Sequence, residues 1–143
     1  MVKLIEHLDS SDLETISQIW LMSNLDTHDF IEKEYWLNNY SFVKKAFSSA
    51  TIYVYYSDNK IVGFLGIINE YIAGIFILQD YRSLGIGTQL LKTIQSTHTK
   101  LTLDVYQKNT LALKFYQKNG FHIQQEKLDI QTEEIEYFLE WHQ

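Results

Sequence analysis

Two short runs in this chain have residue types and a spacing that suit the binding of a phosphate-bearing ligand. The first, Arg82-Ser83-Leu84-Gly85-Ile86-Gly87, contains the only arginine of the sequence and follows an apolar, β-prone stretch at 75–78. Glycine lets a ligand approach the main chain closely, because no Cβ intervenes, and the start of the helix that follows offers free N–H groups. This run therefore predicts a phosphate-binding turn between a strand and a helix.

The second run follows the next predicted strand, at 101–105, and reads N-x-x-A-x-x-F-Y-x-K-x-G-F from Asn109 to Phe121. Together, an R-x-x-G-x-G turn after one strand and this run after the next resemble the GNAT superfamily of acetyl-CoA-dependent N-acetyltransferases. The segment Asp26–Phe30, with Tyr35, also resembles the small bacterial members of the YjaB type. The resemblance covers nearly the whole chain and implies the GNAT fold and an acetyl transfer to a primary amine.

The resemblance implies which residues hold acetyl-CoA. Main-chain amides from Ser83 to Thr88 would hold the pyrophosphate, and Asn109 would contact the pantetheine or phosphate region. The strand at 75–78 would bind pantetheine through its backbone, and an N–H near Ile77 or Leu78 would polarise the acetyl carbonyl. The residues implied to contact the cofactor are Phe76, Ile77, Leu78, Arg82, Ser83, Leu84, Gly85, Ile86, Gly87, Thr88, Asn109 and Tyr116.

The resemblance also implies that Tyr116 is the general acid that protonates the leaving thiolate after direct attack by the amine in a ternary complex. A tyrosine with a pKa of about 10 stays protonated at neutral pH, and a chain without cysteine has no cysteine nucleophile. Simpler interpretations remain open, because Tyr116 could be a core aromatic residue and Asn109 could be the N-cap of its helix. A non-catalytic acetyl-CoA- or CoA-binding module, acting as a sensor or subunit, is the alternative function, although a tyrosine at this position favours the enzyme.

Three positions depart from the family pattern around the glycine run. Asp80 stands where many members have proline, Ser83 stands where glycine is common, and Leu84 replaces a lysine or a small residue. None of these side chains is needed if backbone amides bind the ligand, but they leave the path of the loop and the affinity for the cofactor open.

The acceptor, a small-molecule or protein primary amine, is not fixed by the motifs. His28 and Asp29 lie in a segment that would border the substrate cleft, and Glu70 precedes the strand that leads to the acetyl site. These three are the candidates for substrate binding or for the general base, and a water chain serves equally well as the base. The cleft itself is expected to be built from residues 22–40 and 129–134.

Composition narrows the class of protein. With 143 residues, of which 45% are hydrophobic, we expect one globular domain at 1–143. A net charge of −6 argues against a nucleic-acid partner, including tRNA, and no apolar run is long enough to suggest a membrane segment. The absence of cysteine and of metal-ligand spacing among the histidines predicts no metal site, and the expected location is the cytoplasm. The sequence leaves open whether the chain is a monomer or a homodimer.

The elements that must position these runs follow from the apolar patterns. They predict the order β-α-α-β-β-β-α-β-α-β-β, which is an α/β fold with a mixed, mostly antiparallel central sheet flanked by helices. Ser11-Asp12-Leu13-Glu14 has the form of a capping box at the start of the first helix. The stretch 24–29 is predicted to be a loop, and the second helical segment is expected to bend or split near Asn38-Asn39.

Overall fold

Runs of β-branched and aromatic residues form the strands, and amphipathic segments form the helices, in a computed structural model that describes residues 1–143. The strands are β1 (Val2–Ile5), β2 (Thr51–Ser57), β3 (Lys60–Ile68), β4 (Tyr71–Ile77), β5 (Lys100–Tyr106), β6 (His122–Asp129) and β7 (Glu134–His142). The helices are α1 (Ser10–Thr27), α2 (Lys33–Phe47), α3 (Ile86–Gln95) and α4 (Thr110–Lys118), with a short 3-10 turn at Gln79–Tyr81. The predicted order of elements is confirmed. None of the helices is long and apolar enough to cross a membrane.

All seven strands belong to one sheet, in the order β1-β2-β3-β4-β5-β7-β6. Every neighbouring pair is antiparallel except β4 and β5, which are parallel and share a single paired position, Tyr71 with Thr102. The predicted mixed, mostly antiparallel sheet is therefore confirmed. Beyond that one pair the two central strands separate.

The two faces of the sheet carry two hydrophobic clusters. Helices α1 and α2 cover strands β2 to β4 on one face with Ile16, Ile19, Trp20, Trp36 and Phe47. Helices α3 and α4 cover the other face, where Leu90, Leu91 and Ile94 meet the inward side of β5. Strand β5 alternates, because Leu101, Leu103 and Val105 join the α3 and α4 side while Asp104 and Tyr106 face the α1 and α2 side.

The predicted boundaries of the first helix were wrong at both ends. Asp9 is the N-cap, and its Oδ1 accepts a hydrogen bond of 2.7 Å from the N–H of Asp12, so Ser11 lies within the helix. At the other end the helix continues to Thr27 through the predicted loop. Asn24 fits there because it is only 2% exposed and its Nδ2 donates to the carbonyl of Trp20 at 2.9 Å. Burial therefore overrides the loop preference of asparagine. Helix α2 is likewise a single helix with no break near Asn38.

Candidate active site

A gap opens between β4 and β5 because the two strands diverge after their single pair. The N–H of Leu78 donates to the carbonyl of Val62 at 2.9 Å. Since successive residues of a strand direct their N–H groups to opposite edges, those of Ile77 and Ile75 point away from β3, towards the gap. The carbonyl of Ile77 points the same way and accepts from Ser23 Oγ at 3.3 Å. The free donor near the predicted acetyl position is therefore Ile77 rather than Leu78. Ile75, which lies in the strand expected to bind pantetheine through its backbone, is a second such donor.

The turn after β4 is shaped to receive an anion. Ser83 and Gly85 have φ values of 64° and 80°, and Gly85 precedes α3 without any side chain capping the first helical N–H groups. A Cβ added to Gly85 would meet no atom within 4 Å, so open space lies beside the main chain there. Neighbouring N–H groups in a turn of this kind and at a helix start form an anion-binding concavity. The residues 83–88 therefore fit a phosphate group.

Gly87 has a different role from Gly85. A Cβ at Gly87 would lie 3.4 Å from Ile77 Cδ1 and 3.4 Å from Phe115 Cζ. These distances lie at the short end of ordinary van der Waals contact, so the first turn of α3 packs closely between the end of β4 and helix α4 at this residue. Gly85 adopts the left-handed conformation of the turn, and Gly87 lies where α3 approaches β4 and α4.

The side chain of Arg82 ties the turn to its surroundings. Its Nε donates to the carbonyl of Ile77 at 2.9 Å, and its Nη2 lies 3.7 Å from Asp26 Oδ2 on α1. The guanidinium thus links the turn, the end of β4 and the end of α1.

Tyr116 lies on α4, the helix that packs against β5. Its side chain is 7% exposed, and its ring contacts Phe115 and Phe121 with centroid distances of 5.3 and 5.5 Å. Burial raises the pKa of the hydroxyl above its usual range, and no other group of the chain contributes to the shift. The residue is therefore a core aromatic whose hydroxyl is protonated and has no hydrogen-bond partner in the chain.

Asn109 is the N-cap of α4, as the simpler interpretation predicted. Its Oδ1 accepts from the N–H of Ala112 at 3.3 Å, and its Nδ2 lies 3.0 Å from His28 Nε2. Two of the sequence-predicted residues, 81 positions apart, are thus brought into direct contact.

His28 is enclosed by aromatic rings at the end of α1. It stacks on Trp36 at a centroid distance of 5.3 Å and meets Phe30 and Tyr106 edge-on. Burial lowers the pKa of the imidazole to about 4, and the charge of Asp29 acts in the opposite direction. The other two candidate acceptor-binding residues are elsewhere: Asp29 is exposed, and Glu70 is exposed in the turn before β4, 3.9 Å from Lys100. Of the three, the structure brings only His28 to the gap.

An acidic sheet face borders the gap on the α1 and α2 side. Asp104 Oδ2 accepts from the hydroxyl of Tyr71 at 2.9 Å, and its Oδ1 lies 2.8 Å from Lys127 Nζ. Glu136 has no ion-pair partner, and burial together with Asp104 and Asp129 raises the pKa of its carboxyl. Asp104 joins the carboxylates of β6 and β7 through the pairing of β5 with β7, which no local pattern of the sequence encodes.

Comparisons with known proteins agree with this geometry. A family model described as an acetyltransferase (GNAT) domain matches residues 48–123. Over 122 residues the chain is 36% identical to the peptidyl-lysine N-acetyltransferase YiaC of Escherichia coli (strain K12), covering 84% of each chain. The solution structure of apo-form YjaB from Escherichia coli superposes with a TM-score of 0.83 at 26% identity, over 99% of this chain and 96% of that one. The fold is also similar to that of the PaiA N-acetyltransferase of Thermoplasma acidophilum, solved with coenzyme A, with a TM-score of 0.75 at 21% identity over 100% and 99% of the two chains.

Proposed function

Because this chain belongs to the GNAT family of acetyltransferases, we propose that it transfers the acetyl group of acetyl-CoA to the side-chain amine of a lysine in a peptide or protein. The proposal is carried by the gap between β4 and β5, which has free N–H groups on one wall and an anion-binding turn at one end. The lysine acceptor is supported by the similarity to YiaC, a peptidyl-lysine N-acetyltransferase, at 36% identity.

The residues of the turn would hold the pyrophosphate of acetyl-CoA through the amides of 83–88. The N–H groups of Ile75 and Ile77 would then face the pantetheine arm and the thioester carbonyl. A backbone donor aimed at the oxyanion that develops there is worth about 2.7–4 kcal/mol when removed from comparable sites. The donor thioester supplies an activated acyl group, so the chain needs to position the reactants and stabilise charge.

We assign the proton transfer to the leaving sulfur to Tyr116. The neutral amine attacks the carbonyl carbon, the C–S bond of the tetrahedral intermediate breaks, and the sulfur receives the hydroxyl proton of Tyr116. The raised pKa of this tyrosine keeps the proton in place at working pH. The amine nitrogen releases its own proton to water, and Tyr116 regains a proton from water before the next turnover. No side chain is assigned as the base for the amine, since His28 has both ring nitrogens engaged.

The acidic sheet face supports a cationic acceptor. The carboxylates of Asp104, Asp129 and Glu136 lie beside the gap. The one cation among these three negative charges is Lys127. A lysine ammonium would be attracted to this face before it loses a proton and reacts.

A thiol-release assay with acetyl-CoA tests the proposal. We expect release with peptides that contain one free lysine and no N-terminal amine, and none with the same peptides carrying arginine in its place. Free amino acids and polyamines form the comparison set. Release with these small amines alone would contradict a peptide or protein lysine as the acceptor, but it would still support transfer of the acetyl group to an amine. Cofactor binding without release from any amine would favour the non-catalytic binding module.

A further inference from the structure

A chain of hydrogen bonds runs from α1 to the start of α4 through His28. Asn24 Oδ1 lies 2.8 Å from His28 Nδ1, and Asn109 Nδ2 lies 3.0 Å from His28 Nε2. The first link belongs to the last turn of α1, and the second belongs to the N-cap of the helix that carries Tyr116.

Both ends of this chain are fixed by backbone groups. The carbonyl of Trp20 can only accept, so Asn24 presents Nδ2 to it and Oδ1 to His28. The N–H of Ala112 can only donate, so Asn109 presents Oδ1 to it and Nδ2 to His28. His28 must therefore be neutral, with its hydrogen on Nδ1 and a lone pair on Nε2. A protonated imidazole would place an N–H against the amide N–H of Asn109.

The last turn of α1 contacts both walls of the gap. On the β4 wall, Ser23 donates to the carbonyl of Ile77 and Asp26 lies 3.7 Å from Arg82. On the other wall, His28 meets Asn109 and the ring of Tyr106. Strands β4 and β5 make no ladder with each other along the gap, so the two walls are joined here by α1 instead of by the sheet.

We infer that His28 is a positioning residue that holds Asn109 and the start of α4 at a fixed distance from β4, and so keeps the gap open for the acetyl donor. The inference rests on the proposed function of the gap. Asn109 Nδ2 carries two hydrogens, and it donates one of them to His28 Nε2. This hydrogen bond fixes the orientation of the amide, and the second hydrogen is available to a bound ligand. His28 thus acts through Asn109 and takes no proton from the acceptor.

Binding of acetyl-CoA, measured by calorimetry on the full chain, tests the inference. His28→Phe keeps an aromatic ring against Trp36 but loses both hydrogen bonds, and we expect the dissociation constant to rise about 3- to 10-fold. His28→Gln retains an acceptor for Asn109, and we expect it to restore most of the affinity. Asn109→Ser keeps an N-cap but loses the donor to His28. Because His28 acts through Asn109, we expect the double variant with His28→Phe to bind acetyl-CoA no more weakly than Asn109→Ser alone.

His98 provides a matched control. It follows α3, with Nδ1 2.9 Å from the carbonyl of Ile94 and Nε2 3.2 Å from that of Asn69, away from the gap. His98→Phe should lose similar bonds without weakening acetyl-CoA binding. Effects of His28→Phe and Asn109→Ser that multiply, or equal losses in His28→Phe and His98→Phe, would overturn the inference. Failure of the wild-type chain to bind acetyl-CoA would overturn the proposed function, and the inference with it.

Discussion

Tyr116 combines a buried ring with a hydroxyl that no other group of the chain engages. Tyr116→Phe removes the hydroxyl and leaves the ring packed against Phe115 and Phe121. Since general acid catalysis is worth about 10²- to 10⁴-fold, we expect kcat to fall by that factor while the affinity for acetyl-CoA changes little. Steady-state kinetics with a lysine peptide, together with direct binding of acetyl-CoA, separate the two effects. An unchanged kcat in a variant whose chemical step limits the rate would reject the acid role.

Ser83 occupies a conformation that favours glycine, with φ of 64°. A left-handed conformation costs an L-residue about 1–2 kcal/mol, and glycine recovers that but loses about 0.5–1 kcal/mol through the entropy of the unfolded chain. We therefore expect Ser83→Gly to stabilise the chain slightly and to raise Tm by about 2–4 °C. The loop takes this left-handed path in spite of lacking the glycine that is common in the family.

Ser96→Gly is the matched control for this substitution, because Ser96 has φ of −72° at the end of α3. Glycine relieves no strain there, so thermal unfolding should show a lower Tm for Ser96→Gly and a higher one for Ser83→Gly. Equal losses of Tm in the two variants would contradict the strain at Ser83.

Between elements, the buried imidazole of His28 makes the contact of α1 with α4 sensitive to acid. Its pKa is about 4 in the folded chain against an ordinary value of 6.5. Between pH 6.5 and pH 4 this imidazole is protonated in the unfolded chain but neutral in the folded chain. The free energy of unfolding therefore falls as the pH falls from 6.5 towards 4. We expect this group to remove about 2 kcal/mol of stability at pH 5 relative to pH 7.5.

Urea unfolding of the wild type and of His28→Gln at the two pH values isolates this effect, because the other titrating groups are common to both chains. The wild type should be the more stable at pH 7.5, and its advantage should shrink or reverse at pH 5. Parallel losses of stability in both chains would mean that His28 titrates normally.

Across the whole molecule, the sequence predicted the order of the elements and the glycine turn before α3 better than it predicted the contacts between elements. The strands at 51–57, 60–68 and 71–77 and the glycine turn are local features, since residue type and spacing within a few positions determine them. The contact of His28 with Asn109 joins residues 81 positions apart, and no local pattern encodes it. The helical state of Asn24 also depends on distant packing, because the burial of α1 on the sheet decides it.

The acidic sheet face is a property of the assembled sheet, and its charge should select the acceptor. Glu136 pairs with Tyr106 on β5, two residues on from Asp104, so the two carboxylates lie diagonally on the same face of the sheet. Glu136→Gln removes one carboxylate beside the gap. Because partly exposed ion pairs contribute about 0.2–1 kcal/mol, we expect the KM for a lysine peptide with a neighbouring basic residue to rise roughly 1.4- to 5-fold. The KM for acetyl-CoA should not change, and added salt should raise the peptide KM more in the wild type than in the variant.

Glu126→Gln provides the control with the same net charge. Glu126 pairs with Tyr137 on β7 and therefore lies on the opposite face of the sheet, towards α3 and α4. If long-range attraction by a chain of net charge −6 were the whole effect, the two variants would raise the peptide KM equally. A local role of the acidic sheet face instead predicts an increase for Glu136→Gln alone, and a peptide with neutral neighbours around its lysine should show a smaller increase. Equal values of KM for both variants with both peptides would contradict a local role of the acidic sheet face.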